Sequence, residues 1–365
     1  MTDQLLRTPL HSRHLSRGAK MGDFGGWDMP IEFSGTIAEH TAVRSTVGFF
    51  DVSHMGKIRV SGTDAVAFLN AHLTNDLERI RDGHAQYSML CNESGGVIDD
   101  LIVYRWSLEH VFIIPNASNA HRVVAALSTH RPEGIQIEDL HNELGIIAVQ
   151  GPLSGQILAD MGLPTDLDYM AMVDARYRGH DIVVCRTGYT GEKGFEIVAP
   201  HAILPEIWDE LCDRSAAVSG MPAGLGARDT LRTEMGYPLH GQDISADITP
   251  GEAGLSWAVG WNKPDFAGKA ALVEQREQGI DRRLVALLAH ERGIPRPHLA
   301  VLDAEGNQPL GEVTSGTFSP TLKQGIALAL VDSRVVEGQE VLVDIRGRSS
   351  KFKVVALPFV ASSAR

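Results

Sequence analysis

Three stretches of the chain place reactive side chains where a pocket could use them. CNESGGVIDDLIVYR, residues 91–105, sets two aspartates, Asp99 and Asp100, inside an apolar run. RTGYTGEKGFEIVAP, residues 186–200, puts Tyr189 among Gly188, Gly191 and Gly194, with Glu196 at the head of the apolar segment. GLGARDTLRTEMGYPLHGQDI, residues 224–244, carries Arg228 and Arg232 four residues apart. A carboxylate among apolar neighbours is costly unless partnered, and its pKa shifts far enough to handle a proton or a cation. The planar donors of arginine suit a flat anionic or carbonyl-bearing ligand.

Each stretch also has a purely structural reading. In a strand, successive side chains face opposite ways, so Val97, Asp99, Leu101 and Val103 share one face and Ile98, Asp100, Ile102 and Tyr104 the other. The two aspartates therefore cannot enter one cavity together. One is expected to satisfy the turn or meet solvent while the other faces a pocket. Glu196 taken alone reads as a solvent-facing residue of a hairpin, and Tyr189 either stacks on a ligand or covers the turn. Arg228 and Arg232 share a helix face. In isolation they read as surface residues paired with Asp229 or Glu234.

The surrounding pattern supplies elements to hold these groups. Residues 36–46, 63–73, 116–127, 203–214 (ILPEIWDELCDR) and 224–236 have helical spacing. QYSML and VIDDLIVYR flank a glycine-containing turn and read as a hairpin, with HVFIIP (110–115) as a third strand. GIIAVQG, HDIVVCRTG and GFEIVAP read as further strands. The last ninety or so residues hold many short strands separated by Gly, Pro and Asp, the spacing of a small antiparallel barrel or sandwich, which places a boundary near residue 275.

With 365 residues the chain is long for one core, and two or three domains are expected. A net charge of −13 without a Lys/Arg cluster argues against nucleic-acid binding. No apolar run reaches membrane-spanning length. The N-terminal stretch lacks the apolar core of a secretory signal. Cys91, Cys185 and Cys212 are odd in number and widely spaced, which fits a reducing compartment, and the expected location is cytoplasmic. His11 and His14 are three apart, but no HExxH or Cys/His cluster accompanies them, so no metal site is expected. His54 in DVSHMG reads as structural. GPLSGQ lacks the order of a serine-hydrolase elbow, and GLGARD that of a dinucleotide fingerprint.

Taken in order, GAKMGDFGGWDMPIEF, IAEHTAVRSTVGFFDVSHMG, GGVIDDLIVYR, RTGYTGEKGFEI, GLGARDTLRTEMGYPLHGQDI, TPGEAGLSWAV and EVTSGTFSPTLKQGIALALV span about residues 8–331. The ordered set resembles the T-protein of the glycine cleavage system, an aminomethyltransferase family. The resemblance implies an α+β fold: a three-domain cloverleaf of antiparallel sheets with flanking helices, a C-terminal β-barrel or jelly-roll-like domain, and a central folate site. It implies a discontinuous folate-binding domain of residues 1–50 and 140–275, a second domain of 51–139 carrying the Asp99–Asp100 hairpin, and a barrel of 276–365. It also implies the reaction. The aminomethyl group on the dihydrolipoyl arm of the H-protein passes to tetrahydrofolate, ammonia leaves, and methylenetetrahydrofolate forms. By position, the catalytic aspartate falls on Asp100, folate-binding positions on Glu196 and Arg228, and pocket positions on Tyr87 and Tyr189. The implied partners are lipoylated H-protein and tetrahydrofolate as co-substrate, with no nucleic acid and no membrane. Where the family often carries an aromatic or basic residue near the C-terminus that helps close the site, this chain reads ALPFVASSAR. A non-catalytic folate-binding relative of the same fold is the alternative reading; the KGCYxGQ-like signature of such relatives is absent.

Overall fold

A computed structural model describes residues 5–129 and 131–364. The alternation around the aspartate doublet becomes a nine-residue strand, Val97–Arg105, paired antiparallel with His84–Cys91. Asn92 shapes the turn between them: its side-chain oxygen accepts Gly96 N–H at 2.9 Å and its amide donates to the Ala246 carbonyl at 2.8 Å. Gly96 has no alternative, because a Cβ there would lie 1.8 Å from the Ala246 carbonyl oxygen.

This hairpin forms the edge of a five-stranded antiparallel sheet. The order is His84–Cys91, Val97–Arg105, His110–Pro115, Ile58–Ser61, Gln136–Asp139. One face is covered by the helices Ala65–Asn70 and Ala120–Thr129, and Leu101, Val103, Val111, Ile113, Val123 and Leu127 fill the space between. The opposite face presents Ile102, Tyr104, Phe112 and Ile114 to a second sheet and to the helix Leu225–Met235. Asp100 shares that inter-sheet face by alternation.

The second sheet has six strands in the order Met172–Tyr177, His180–Cys185, Gly194–Pro200, Leu144–Gln150, Gly48–Asp51, Met221–Pro222. Only the last pair is parallel. Helices Ser154–Asp160 and Leu204–Ala216 pack on its outer face around the fully buried Trp208. Burying such a side chain contributes on the order of 2–3 kcal/mol.

The C-terminal segment closes into a six-stranded barrel. Its order runs Arg282–Ala289, Gln324–Asp332, Pro309–Ser319, Ala300–Leu302, Glu340–Asp344, Ser349–Val355, and the last strand pairs back with the first. Alternate apolar residues, among them Val285, Leu287, Ala329, Val341 and Phe352, fill the interior. The expected mixed α+β architecture with a C-terminal barrel is what the chain adopts.

Several strands have no counterpart in the sequence pattern read above, and two regions show why. Met172–Tyr177 is a sheet edge whose outward residues Asp174 and Arg176 interrupt any apolar run. The hairpin Lys20–Phe24/Trp27–Glu32 contains Gly22, Gly25, Gly26 and Pro30, which hide its strand character, yet Trp27 and Met29 pack on Leu225. The helix expected over 63–73 is shorter, Ala65–Asn70. No helix among the described residues is long and apolar enough to cross a membrane.

Candidate functional site

The doublet does not divide into one pocket residue and one solvent or turn residue. Asp99 is fully buried. Its Oδ2 accepts the Asn116 backbone N–H at 2.9 Å, and its Oδ1 accepts the side-chain amides of Asn116 at 2.9 Å and Asn119 at 2.7 Å. Facing the helical side of its sheet, it anchors the chain as it leaves strand His110–Pro115 and enters helix Ala120–Thr129. A carboxylate is tolerated in that core because three N–H donors converge on it.

Asp100 lies on the inter-sheet face, half-buried. Tyr87 Oη donates to its Oδ2 at 3.1 Å and Asn116 Nδ2 to its Oδ1 at 2.8 Å. Among the described residues no lysine or arginine hydrogen-bonds to it. Burial raises its pKa above the ordinary carboxylate value, against the opposing charge of His240 and the two hydrogen bonds. Tyr87 is itself buttressed: Trp257 stacks on its ring at 5.5 Å between centroids and 29° between planes.

Glu196 sits on strand Gly194–Pro200, half-buried rather than facing solvent. It accepts Thr187 Oγ1–H at 2.5 Å, and Tyr104 Oη lies 2.9 Å from the same threonine hydroxyl. Burial raises its pKa, with Thr187 and the Arg228 charge acting the other way. The two arginines of helix Leu225–Met235 separate in role. Arg232 is buried in ion pairs with Asp229 and Asp243, at 2.7 and 2.8 Å, so it is not a solvated surface group. Arg228 makes no side-chain hydrogen bond or ion pair among the described residues. Its guanidinium carbon lies 4.5 Å from the centroid of the Tyr189 ring, a cation–π contact. Burial lowers its pKa, while Tyr189 and Glu196 favour its charged form.

The glycines of residues 188–194 let Tyr189 reach this arginine. Gly191 has φ +78°, and a Cβ there would lie 1.9 Å from Met235 Sδ. Tyr189 Oη donates to the Pro238 carbonyl. Burial pushes the phenol far above its ordinary pKa; the Arg232 and Arg228 charges oppose this and Asp100 adds to it. Asp100, Tyr189, Arg228 and Glu196 thus share one electrostatic environment. Beside them opens a cleft of about 240 Å³ lined by Phe24, Met55, Asn116, Arg228, Leu239 and His240, among others.

Asn116, Asn119, His240 and Trp257 belong to this constellation, and none stood out in the sequence. Asn116 lies at a strand-to-helix junction, where asparagine is an ordinary turn residue. His240 and Trp257 come from connecting segments remote from the hairpin. His54 is fully buried with its ring edge-on to Phe24, and burial followed by the Arg228 charge depresses its pKa to about 3, so it is neutral at physiological pH. The tail packs against the glycine loop: Ser363 N–H donates to the Gly191 carbonyl at 2.8 Å and Arg186 to the Ala364 carbonyl at 2.9 Å. The final Arg365 lies outside the described residues.

Comparison with known proteins is consistent along the whole chain. Residues 10–263 match the GCVT N-terminal domain model and residues 282–361 the glycine cleavage T-protein C-terminal barrel domain model. An aminomethyltransferase of Parafrankia sp. (strain EAN1pec) is 53% identical over 364 residues, covering 99% of this chain and 100% of the relative. One of Mycobacterium tuberculosis (strain ATCC 25618 / H37Rv) is 51% identical over 364 residues, covering 99% of each. The crystal structure of glycine cleavage system aminomethyltransferase T from Bartonella henselae superposes with a TM-score of 0.93 at 36% identity, covering 99% of each chain.

Proposed function

The chain belongs to the glycine cleavage T-protein family of aminomethyltransferases, and from that premise we propose that Asp100, Glu196, Arg228, Tyr87 and Tyr189 form its tetrahydrofolate and transfer site. The observation that carries this reading is that one seam holds both a half-buried carboxyl, Asp100, to which no lysine or arginine among the described residues hydrogen-bonds, and a guanidinium, Arg228, whose donors no described residue takes up. Asn116, which holds the first, lines the same cleft as the second.

The donor set suits a reduced pterin. A pterin edge presents adjacent N–H donors that the Glu196 carboxylate can accept together, and carbonyl and ring-nitrogen acceptors that Arg228 can meet. The Tyr189 ring packs against the guanidinium, which lines the cleft. Lipoylated H-protein is the partner that delivers the aminomethyl group. In the transfer, the carbon–sulfur and carbon–nitrogen bonds of the thio-aminomethyl unit break and the carbon becomes bonded to two folate nitrogens. The two N–H protons released there are balanced by those gained by ammonia and by the arm's thiol. Positive charge develops on the carbon between bond breaking and bond making. A carboxylate fixed in a water-poor seam stabilises that charge without reorganising. Asp100 also accepts and returns a proton within reach of Tyr87.

We also retain the domain division of 1–50 with 140–275, 51–139, and 276–365. Its support is that strand Gly48–Asp51 pairs with Leu144–Gln150 and that the barrel strands begin at Arg282. The cytoplasm is the compartment this reading assigns.

The test is ammonia release from aminomethylated H-protein and tetrahydrofolate, with Asp100→Asn as comparator. Wild-type turnover with a strongly impaired variant that still binds folate supports the reading. Near-normal turnover by a folded Asp100→Asn protein refutes the assignment of Asp100. Folate binding without ammonia release by the wild type would instead favour the non-catalytic alternative, which the aminomethyltransferase relatives do not favour.

A further inference from the structure

One side-chain amide joins the two carboxyls of the doublet. Asn116 Nδ2 lies 2.9 Å from Asp99 Oδ1, 2.8 Å from Asp100 Oδ1 and 3.0 Å from the Asp100 carbonyl oxygen, so its two hydrogens are shared between both carboxyls and the backbone beside them. Asp99 also takes the Asn116 backbone N–H, so it grips Asn116 at two points. Asn119 Nδ2 donates its other hydrogen to His240 Nδ1 at 2.9 Å, and His240 Nε2 meets the Val97 carbonyl at 3.0 Å. A carbonyl only accepts, so the network assigns the ring hydrogen to Nε2 and leaves Nδ1 as acceptor. Val97 is two residues before Asp99 on the same strand. The frame therefore closes on itself, from strand to Asn119 to His240 and back to the strand, with Asp99 at its centre.

We propose that Asp99 is a positioning residue for the transfer: through Asn116 it sets the orientation of the Asp100 carboxyl toward the cleft. This rests on the reading of Asp100 as the group that acts on substrate. Asp99 is the one carboxylate on that strand face, whose other members Val97, Leu101 and Val103 are all apolar and buried. An apolar residue at 99 would continue the core but leave Asn116 ungripped.

A second effect follows from charge. The titratable groups facing the doublet are Tyr87 from the adjacent strand, Tyr189 from the glycine loop and His240 from the segment after helix Leu225–Met235. No lysine or arginine among the described residues hydrogen-bonds to either carboxyl. Burial and the neighbouring Asp100 push Asp99 up to about 8, while its three N–H donors favour the charged form. Two carboxyls sharing one bridge titrate as a pair, and removing the charge of one makes the other easier to ionise.

The experiment uses the full chain with aminomethylated H-protein and tetrahydrofolate. Asp99→Asn is expected to lower kcat by about 10- to 100-fold. Its folate Kd by titration should stay within about threefold of wild type, because no folate contact has been removed. The limb of the kcat–pH profile set by Asp100 is expected to move to lower pH. Asn116→Ala should lower kcat similarly, and the double variant should be no worse than Asn116→Ala alone, since both cut one chain of contacts. A purely structural Asp99 would lower the melting temperature while leaving kcat per folded molecule and the pH limb unchanged, and that result overturns the proposal. If Asp99→Asn does not fold, Asn116→Ala decides: unchanged kcat overturns the proposal, and reduced kcat with unchanged folate Kd supports it. Loss of activity in Asp100→Asn with wild-type behaviour of Asp99→Asn sinks this inference alone. Retained activity in Asp100→Asn sinks the reading beneath it.

Discussion

Glu234 and Asp100 are carboxylates withdrawn from water in neighbouring parts of the fold, and their surroundings push them in opposite directions. Glu234, near the end of helix Leu225–Met235, is met by Arg44 at 2.7 Å, His40 at 3.3 Å, Ser319 at 2.5 Å and Thr321 at 3.1 Å. Against the upward push of burial, the His40 bond and charge, Ser319 and Arg44 hold it to about 2. It ties helix Thr36–Ser45 and a barrel turn to one spot. Asp100 has neutral donors only, and burial raises its pKa. Where a carboxylate joins elements, this molecule surrounds it with positive charge. Where substrate is proposed to bind, it leaves the carboxylate to neutral hydrogen-bond donors, with no lysine or arginine among the described residues hydrogen-bonded to it.

Exchanging the two cases experimentally is the strongest way to break that contrast. Asp100→Asn should cost transfer about 10²- to 10³-fold, the size of effect seen when one preorganised electrostatic contact is removed. Its melting temperature should be equal or higher, because a buried like-charge pair is relieved. Glu234→Gln should do the reverse. It leaves Arg44 without its main counter-charge, so unfolding free energy should fall by about 3–5 kcal/mol in urea titrations, with turnover per folded molecule near wild type. Loss of both properties in both variants would dissolve the distinction.

The contrast was half visible in the sequence. The doublet stands out because VIDDLIVYR is otherwise an apolar strand, and alternation alone separates the two faces. What alternation cannot tell is what covers each face. Asp99 is buried because Asn116 and Asn119 arrive from the start of a helix about twenty residues on, and asparagines there look like turn residues. Arg228 and Arg232 look equivalent by spacing. Their difference comes from Asp243, which loops back to Arg232 and leaves Arg228 free to lie over Tyr189. Barrel closure was legible only as a run of short strands, since pairing of Ser349–Val355 with Arg282–Ala289 joins segments about sixty residues apart. The ordered resemblance to a family supplied the site assignment that local pattern left open.

Arg228→Met sharpens the comparison from the ligand side. Arg232 is already neutralised, so its neighbour alone offers unpartnered donors to a ligand. The substitution should weaken tetrahydrofolate binding by about 2 kcal/mol, roughly 30-fold in Kd, with little loss of stability. Isothermal titration checks the first and thermal melting the second. A folate affinity within twofold of wild type would detach Arg228 from the site.

The two carboxylates should also leave opposite signatures in the pH dependence of stability. Glu234 has a folded pKa below its unfolded value. Its contribution is present above about 4.5, the ordinary glutamate value, and is lost as pH falls toward about 2, a change of roughly 3 kcal/mol. Asp99 has a folded pKa above its unfolded value. The doublet therefore favours the folded state at low pH and loses that contribution as pH rises from about 4 to about 8. Urea midpoints across this range should show a decline on the alkaline side that flattens in Asp99→Asn, and an acid decline that flattens in Glu234→Gln. If neither substitution changes the slope of its own limb, the assignment of charge states fails.

Trp257 gives the smallest expected effect and probes how far preorganisation extends outward. It is 64% exposed, an unusual place for a large aromatic side chain, and its ring covers Tyr87, which in turn holds Asp100. Such aromatic contacts contribute about 0.5–1.5 kcal/mol beyond buried area. Trp257→Leu keeps an apolar cover but removes the stacking plane. Stability should change by less than about 1 kcal/mol, because the residue is largely solvent-facing. Turnover should fall by a few-fold, through looser placement of the Tyr87 hydroxyl against Asp100. A Trp257→Leu/Tyr87→Phe double variant no worse than Tyr87→Phe alone would place the effect on that path. Additive losses would instead make Trp257 an independent contact for substrate or partner, extending the uncompensated side of the molecule to its surface.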